Sequence, residues 1–200
     1  RLGAASGAKP SQAPHRPATA FRARWMAELH IVGQLTGADG FELPSLFCKW
    51  TLEAGSNFRL LEGITGGQTQ CDTPNEGEAA VWAHPLDVHY ALRGIEGWPR
   101  LLIEVYGVDI YGRTELAGYG QATIPTVVGS HSVTVSTWRP YGTLREQFST
   151  FFLGNPPRLK HTEIVTSPAD RFRLHTQPAG EVHLQLGVLC KDFHRFGVHC

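Results

Sequence analysis

Few side chains in this sequence have types and spacing that could do chemistry, and the first to test are His84, Asp87 and His89. Two imidazoles and a carboxylate can form an open site for zinc or a similar metal. Side chains alternate between the two faces of a strand, so only Asp87 and His89 share a face, while His84 stands before Pro85 at the strand's entry. We therefore predict no metal site and no cofactor.

Nucleophilic catalysis finds no support in the sequence. There is no Gly-x-Ser-x-Gly elbow, and no cysteine lies in a local signature that marks an activated thiolate. Gly118–Gly120 begins like a dinucleotide-binding fingerprint, but it lacks the third glycine and the following helix. We predict no catalytic residues and interpret the chain as a protein that is not an enzyme.

A third pattern, from Leu101 to Pro125, is similar to the third loop of calcium-binding C2-type domains. Calcium needs six to eight oxygen ligands, which such loops supply from clustered carboxylates. Here Asp109 and Glu115 are present, but Gly107 and Ser45 stand where C2-type domains hold further carboxylates. We therefore expect calcium binding to be weak or absent.

The charge distribution excludes a nucleic-acid partner as the main function. The chain has 18 basic and 18 acidic residues, and five of the basic ones lie in residues 1–25, which contain no acid. The remainder has thirteen basic against eighteen acidic residues, a net charge of −5. A mildly acidic body has no broad surface for a phosphate backbone.

Residues 1–25 differ from the rest in composition, being rich in Ala, Pro and Arg. An organelle transit peptide and translated upstream sequence without structure both fit this composition. We expect residues 1–25 to be a disordered leader outside the domain, and residues 26–200 to form one domain that starts at Met26. The four cysteines form no Cys-x-x-Cys pair, and the first 25 residues lack the apolar centre of a secretory signal, which favours a cytoplasmic location.

The body of the chain shows the two-residue period of β-strands. Val182, Leu184, Leu186 and Val188 form one apolar face, and residues 177–180 before them have the composition of a hairpin turn. The strands expected are 29–35, 46–52, 58–61, 68–71, 86–92, 101–108, 115–124, 132–137, 172–176 and 181–189.

One segment, 143–154, has a helical pattern. Thr143 and Glu146 have capping-box spacing, and Gly154 can end the helix. Together with the strand pattern, this segment predicts an all-β fold, an antiparallel C2-like β-sandwich with one short crossover helix.

Nine segments of the body, read together, resemble the B9-domain family. They are Met26–Gln34, Ser45–Trp50, Gly67–Pro74, Val81–Tyr90, Gly97–Leu101, Leu116–Gly120, Thr137–Pro140, Arg145–Gln147 and Ala169–Thr176. The resemblance runs from Met26 to Cys200 and implies a C2-like, non-enzymatic scaffold. It implies a location at the ciliary transition zone and basal body, within the Meckel syndrome or tectonic-like complex that gates entry to the cilium.

The resemblance also implies partners. These are B9 domain-containing protein 1 and the Meckel syndrome type 1 protein, with the membrane proteins of the tectonic-like complex nearby and tubulin or a membrane surface as further contacts. The competing interpretation is a peripheral membrane-binding module that works without calcium.

Candidate partner-binding residues are aromatic and arginine side chains, which concentrate binding energy at interfaces. They are Trp138, Arg139, Arg145, Arg171, Arg173, Phe193 and Phe196. For Trp138 the alternative is a place in the core, and for Arg171 and Arg173 it is a solvated strand face. The segment Lys191–Cys200 can dock against a neighbour or fold back on its own sheet.

Overall fold

The structure, a computed structural model, describes residues 27–75, 77–141 and 175–196. These residues form nine β-strands and a short 3₁₀ helix, Phe193–Phe196. The strands are β1 (Ala27–Asp39), β2 (Ser45–Glu53), β3 (Phe58–Gly63), β4 (Gly66–Gln68), β5 (Ala80–Leu92), β6 (Arg100–Val108), β7 (Thr114–Thr123), β8 (Gly129–Pro140) and β9 (Thr176–Lys191).

All nine strands belong to one antiparallel sheet in the order β3-β5-β1-β9-β8-β7-β6-β2-β4. The sheet is continuous because β7 and β8 are joined through the pair Tyr119 and Trp138. The prediction of a sandwich of two sheets is therefore wrong. The described residues are all-β, and they form a single curled sheet without an α-helix.

Three predictions fall on residues outside the described ranges. The predicted helix 143–154 and the predicted leader 1–25 both lie there, as does most of the predicted strand 172–176. The placement of the leader outside the domain therefore stays a prediction.

The core lies between the two halves of the curled sheet. Leu29, Ile31 and Leu35 of β1 are buried, and they belong to one apolar cluster with Trp50 of β2 and Ile103 of β6. Alternate residues of β9 from Val182 to Val188 complete this layer. The strict alternation follows from the pleat, which turns every second side chain of a strand to the same face.

Strand β9 corrects the predicted closing hairpin. Residues 177–180 are not a turn but the first part of β9, where Gln177 pairs with Arg139 and Pro178 with Trp138 of β8. On its other side β9 pairs with β1 only from Glu181 onward. Pro178 thus stands where only one neighbouring strand is present, a position at which a missing backbone N–H is tolerated.

Candidate functional site

The sheet ends at β3, which pairs with β5 on one side and with no other strand among the described residues. Phe58 holds this edge in place, because its buried ring packs edge-on against Tyr90 and Trp98 at centroid distances of 6.0 and 5.8 Å. Leu60 and Leu61 have 41% and 48% of their area exposed. An edge strand offers unpaired backbone groups to a partner.

The exposed apolar residues of this edge extend beyond the strand. Ile64 follows β3 and is 63% exposed. The register between β3 and β5 shifts between Leu60 and Glu62, so Leu61 lies at a bulge. We call Leu60, Leu61 and Ile64 the β3 edge patch. The sequence analysis missed it, although two adjacent leucines that break the two-residue period were the available signal.

Of the predicted partner-binding residues, Trp138 and Arg139 lie where β8 meets β7. The Trp138 ring is half-buried and packs on Tyr119 with a centroid distance of 5.6 Å. The Arg139 guanidinium lies 3.5 Å from the Glu42 carboxylate and faces the Gln177 amide, whose oxygen accepts from it when the amide is assigned by its hydrogen-bond partners. A small cleft of about 150 Å³ opens beside Arg139. The two residues are consecutive in β8, so the pleat turns their side chains to opposite faces of the sheet, and each is a separate candidate contact.

Phe193 lies away from that place. Phe193 is 5% exposed and packs against Trp98 with a centroid distance of 6.5 Å, so this chain covers it itself. Arg145, Arg171 and Arg173 lie outside the described residues. Phe196 ends the 3₁₀ helix. Trp138 and Arg139 therefore remain the candidates from this set that we test for partner binding.

The turn between β6 and β7 carries the most exposed apolar side chains described. Ile110 is 82% and Tyr111 77% exposed. Asp109 fixes the turn, because its Oδ1 accepts hydrogen bonds from the backbone N–H groups of Tyr111 and Arg113, each at 2.8 Å. Its Oδ2 accepts from the Arg113 Nε at 2.7 Å. Desolvation acts to raise the pKa of Asp109, but these hydrogen bonds outweigh it and hold that pKa below its usual value.

The hydrogen bonds of Asp109 also affect the capacity of this turn to bind calcium. Both oxygens of Asp109 are engaged within the turn, and the Asp39 carboxylate lies 3.1 Å from His183. At Gly107 an added Cβ would collide with the Leu43 side chain, so a carboxylate there would displace a packed residue. The expectation of weak or absent calcium binding stays a prediction.

The structure separates the histidines considered in the sequence. Across the β1–β5 ladder His84 pairs with Leu35, Asp87 with Val32, and His89 with His30. His84 instead approaches the Trp50 ring at 5.9 Å. The triplet His84, Asp87 and His89 is therefore not one cluster.

Comparison with known proteins supplies the identification. A family model described as "Ciliary basal body-associated, B9 protein" matches residues 29–189, which is most of the chain. The chain belongs to the B9-domain family. Human (Homo sapiens) B9 domain-containing protein 2 is 49% identical over 175 residues, which cover 88% of this chain and 100% of the human protein. The resemblance seen in the sequence is confirmed.

A second branch of the B9-domain family is also related to this chain. B9 domain-containing protein 1 of Xenopus laevis is 27% identical over 172 residues, covering 84% of this chain and 87% of that protein. Among solved structures, a C2 domain of plant Extended Synaptotagmin 1 matches with a TM-score of 0.40 and 14% identity, over 84% of this chain and 96% of that one. Within the described part of the chain, no helix is long and apolar enough to cross a membrane.

Proposed function

We propose that this chain is a non-enzymatic scaffold component of the ciliary transition zone complex, the Meckel syndrome or tectonic-like complex. In that role it supports ciliogenesis and the gating of ciliary membrane proteins. The proposed partners are B9 domain-containing protein 1, the Meckel syndrome type 1 protein and, nearby, the membrane proteins of the complex. Membership of a ciliary basal body-associated family supports the location.

The observation that carries the assembly role is the β3 edge patch. Leu60, Leu61 and Ile64 place exposed apolar area directly beside the backbone edge of β3 that no other described strand pairs with. A partner strand that pairs with such an edge gains main-chain hydrogen bonds, and its side chains gain specificity from adjacent apolar area. Related B9 domains are proposed as the occupants.

Co-expression of this chain with B9 domain-containing protein 1 and the Meckel syndrome type 1 protein, followed by size-exclusion chromatography, tests the proposal. We expect one complex that contains all three chains. Leu61→Asp should weaken the assembly by at least about 30-fold, the effect of losing an interface residue worth about 2 kcal/mol. Val127→Asp is the matched control, since Val127 is also an exposed apolar residue. Val127 lies just before β8, which three strands, β5, β1 and β9, separate from β3 in the sheet.

Two results would contradict the proposal, the first its scaffold role and the second its contact surface. The first is that this chain elutes alone while the other two proteins associate without it. The second is that Leu61→Asp and Val127→Asp have the same effect, in which case the β3 edge patch is not the contact. Arg139→Ala, made in parallel, tests whether the Trp138 and Arg139 neighbourhood contributes.

A second candidate function is calcium-independent binding to a membrane surface, and the β6–β7 turn favours it. Ile110 and Tyr111 stand out into solvent, with the Arg113 guanidinium 5.3 Å from the Tyr111 ring centre. Apolar tips flanked by cationic groups suit the boundary between headgroups and acyl chains. Pelleting with phosphatidylserine-containing vesicles, with and without calcium, tests it. This function is supported if the protein pellets with the vesicles, if Ile110→Asp abolishes that pelleting and if calcium leaves it unchanged. Absence of pelleting at low salt refutes it.

A further inference from the structure

An imidazole pair lies on the outer face of the sheet, opposite the apolar core. His30 of β1 and His89 of β5 are directly opposite each other in the register. Glu28 lies two residues before His30 and therefore on the same face of β1. The three side chains come from two long neighbouring strands, so their backbone positions are held by the sheet.

The donor atoms of these side chains converge. The Glu28 Oε2 lies 3.9 Å from His30 Nε2 and 3.6 Å from His89 Nε2. One ligand atom from each residue falls within 4.8 Å of the others. The two imidazole rings stack at 3.7 Å with an interplanar angle of 18°.

One of these atoms lacks a hydrogen bond in the described part of the chain. The His89 Nε2 is buried and has no hydrogen-bond partner there. A buried polar atom without a partner is costly, and such atoms in native proteins often indicate an ion or water that satisfies them. The atom faces the Glu28 carboxylate, where a shared cation would be placed.

We propose that Glu28, His30 and His89 form an open three-ligand site for a divalent first-row transition metal, with Zn²⁺ as the probe. Two imidazoles and a carboxylate are a ligand set that zinc accepts, with solvent in the fourth position. Tetrahedral coordination with bonds of about 2.0 to 2.1 Å puts neighbouring ligand atoms roughly 3.3 Å apart. The measured separations from Glu28 exceed this value by about 0.3 to 0.6 Å, which side-chain rotation can supply.

Metal binding would change the stacking of the rings. A metal lies near the plane of each imidazole that binds it, and the planes of two stacked, parallel rings cannot both pass through one ion. The rings must therefore tilt out of their stack when the ion enters. This change gives the site a spectroscopic signature of its own.

Three other charged groups face the cluster. The Lys191 Nζ of β9 donates to Glu28 Oε2 at 2.9 Å, so this ammonium competes with a metal for the carboxylate. Glu62 of β3 is opposite His89 in the register, and Asp87 lies two residues before His89 on β5. These two acids add negative charge beside the site, which favours a dication.

Isothermal titration of the untagged, chelator-treated full chain with Zn²⁺ tests the proposal. The Cys71→Ser background removes an exposed thiol that could bind zinc by itself. We expect one site in this background, and His30→Gln or His89→Gln should weaken it by more than about tenfold, since even outer partners of metal ligands change affinity by about 10 to 100-fold. His183→Gln is the matched control, because His183 is a histidine of the same sheet that faces Asp39 and, among the described residues, no second imidazole.

Two further measurements keep the test decisive if a ligand variant fails to fold. Lys191→Gln should bind zinc about two- to fivefold tighter, because the competing exposed ion pair is gone. In the unmutated chain, zinc should shift the imidazole proton resonances of His30 and His89 together, as the rings leave their stack. Each of three results would overturn the proposal. The chain does not bind at about 100 μM zinc, the ligand variants and His183→Gln bind zinc equally, or the resonance shifts are confined to other histidines. None of these results bears on assembly with B9-domain partners.

Discussion

The buried hydroxyl of Thr69 allows a test of how β4, the strand at one end of the sheet, is attached to β2. Thr69 follows β4 and is 3% exposed. Its Oγ1 accepts a hydrogen bond from the Cys48 backbone N–H at 2.9 Å and donates to the Gln70 carbonyl at 2.8 Å. Its own N–H donates to the Cys48 carbonyl at 2.8 Å. The side chain thus completes a pairing with β2 that the backbone alone makes only in part.

Thr69→Val keeps the shape of the side chain and removes both hydroxyl bonds. The Cys48 N–H is then buried without an acceptor, which costs about 1 to 3 kcal/mol. In a chain of 200 residues, each kcal/mol lowers the unfolding temperature by about 2 to 4 °C, so we expect a decrease of about 2 to 12 °C. Thr69→Ser keeps the hydroxyl and loses one methyl group, a cost of about 0.8 kcal/mol.

Thermal and urea unfolding, followed by tryptophan fluorescence, measure the difference. Thr134→Val is the control for loss of a threonine hydroxyl, since the exposed Thr134 Oγ1 contacts only His183 among the hydrogen bonds described. That variant should change the free energy of unfolding by less than about 0.5 kcal/mol. If Thr69→Ser is more destabilising than Thr69→Val, the methyl packing matters more than the hydroxyl, and the reasoning is refuted.

Three further predictions follow from single residues. Gly180→Ala should lower the free energy of unfolding by about 1 to 3 kcal/mol or more, because its Cβ would collide with the Asp39 carbonyl oxygen. Gly94→Ala is the control and should not lower it, because a Cβ there makes only ordinary contacts to Asn57. Equal melting temperatures of the two variants would contradict this prediction. Desolvation raises the pKa of the buried Cys48 thiol far above its usual range, so Cys71→Ser should remove one fast-reacting thiol in a native thiol titration and Cys48→Ser none. Calorimetry should find no tight calcium site, and a micromolar affinity lost in Asp109→Ala would reverse that expectation.

The sequence predicted the strands best where one face is fully buried. Val182 to Val188 alternate without interruption, and the structure places them in a strand with the apolar face inward. The same holds for Leu46 to Leu52 in β2. Burial of one face imposes a two-residue period, and that period is visible in the sequence without knowledge of the neighbouring strands.

Features that depend on which strands are neighbours could not be predicted. Pro178 to Gly180 has the composition of a turn, but this segment forms strand because it lies along β8, with Pro178 opposite Trp138, while β1 pairs with β9 only from Glu181 onward. The alternation of a two-layered sandwich and that of one curled sheet are the same, so only the Tyr119 and Trp138 pairing distinguishes them.

The candidate surfaces show the same limit. Trp138 and Arg139 were selected by residue type, and the structure places them side by side at the junction of β7 and β8. The β3 edge patch was missed because Leu60 and Leu61 break the two-residue period but do not by themselves show that β3 lies at a sheet edge. His30 and His89 were not paired in the sequence analysis because their contact depends on the register between β1 and β5.

The position of β9 has a consequence for how the chain folds as it leaves the ribosome. This strand is the last of the described strands, yet it lies between β1, the first of them, and β8. At about 5 to 20 residues per second, β1 waits on the order of 10 s or more for this partner. During that time β1 exposes an unpaired edge, and β8 does so once it has been synthesised, a state prone to aggregation. A premature stop anywhere before residue 176 would therefore leave the nascent sheet divided, and chaperone dependence should be greatest just before β9 emerges.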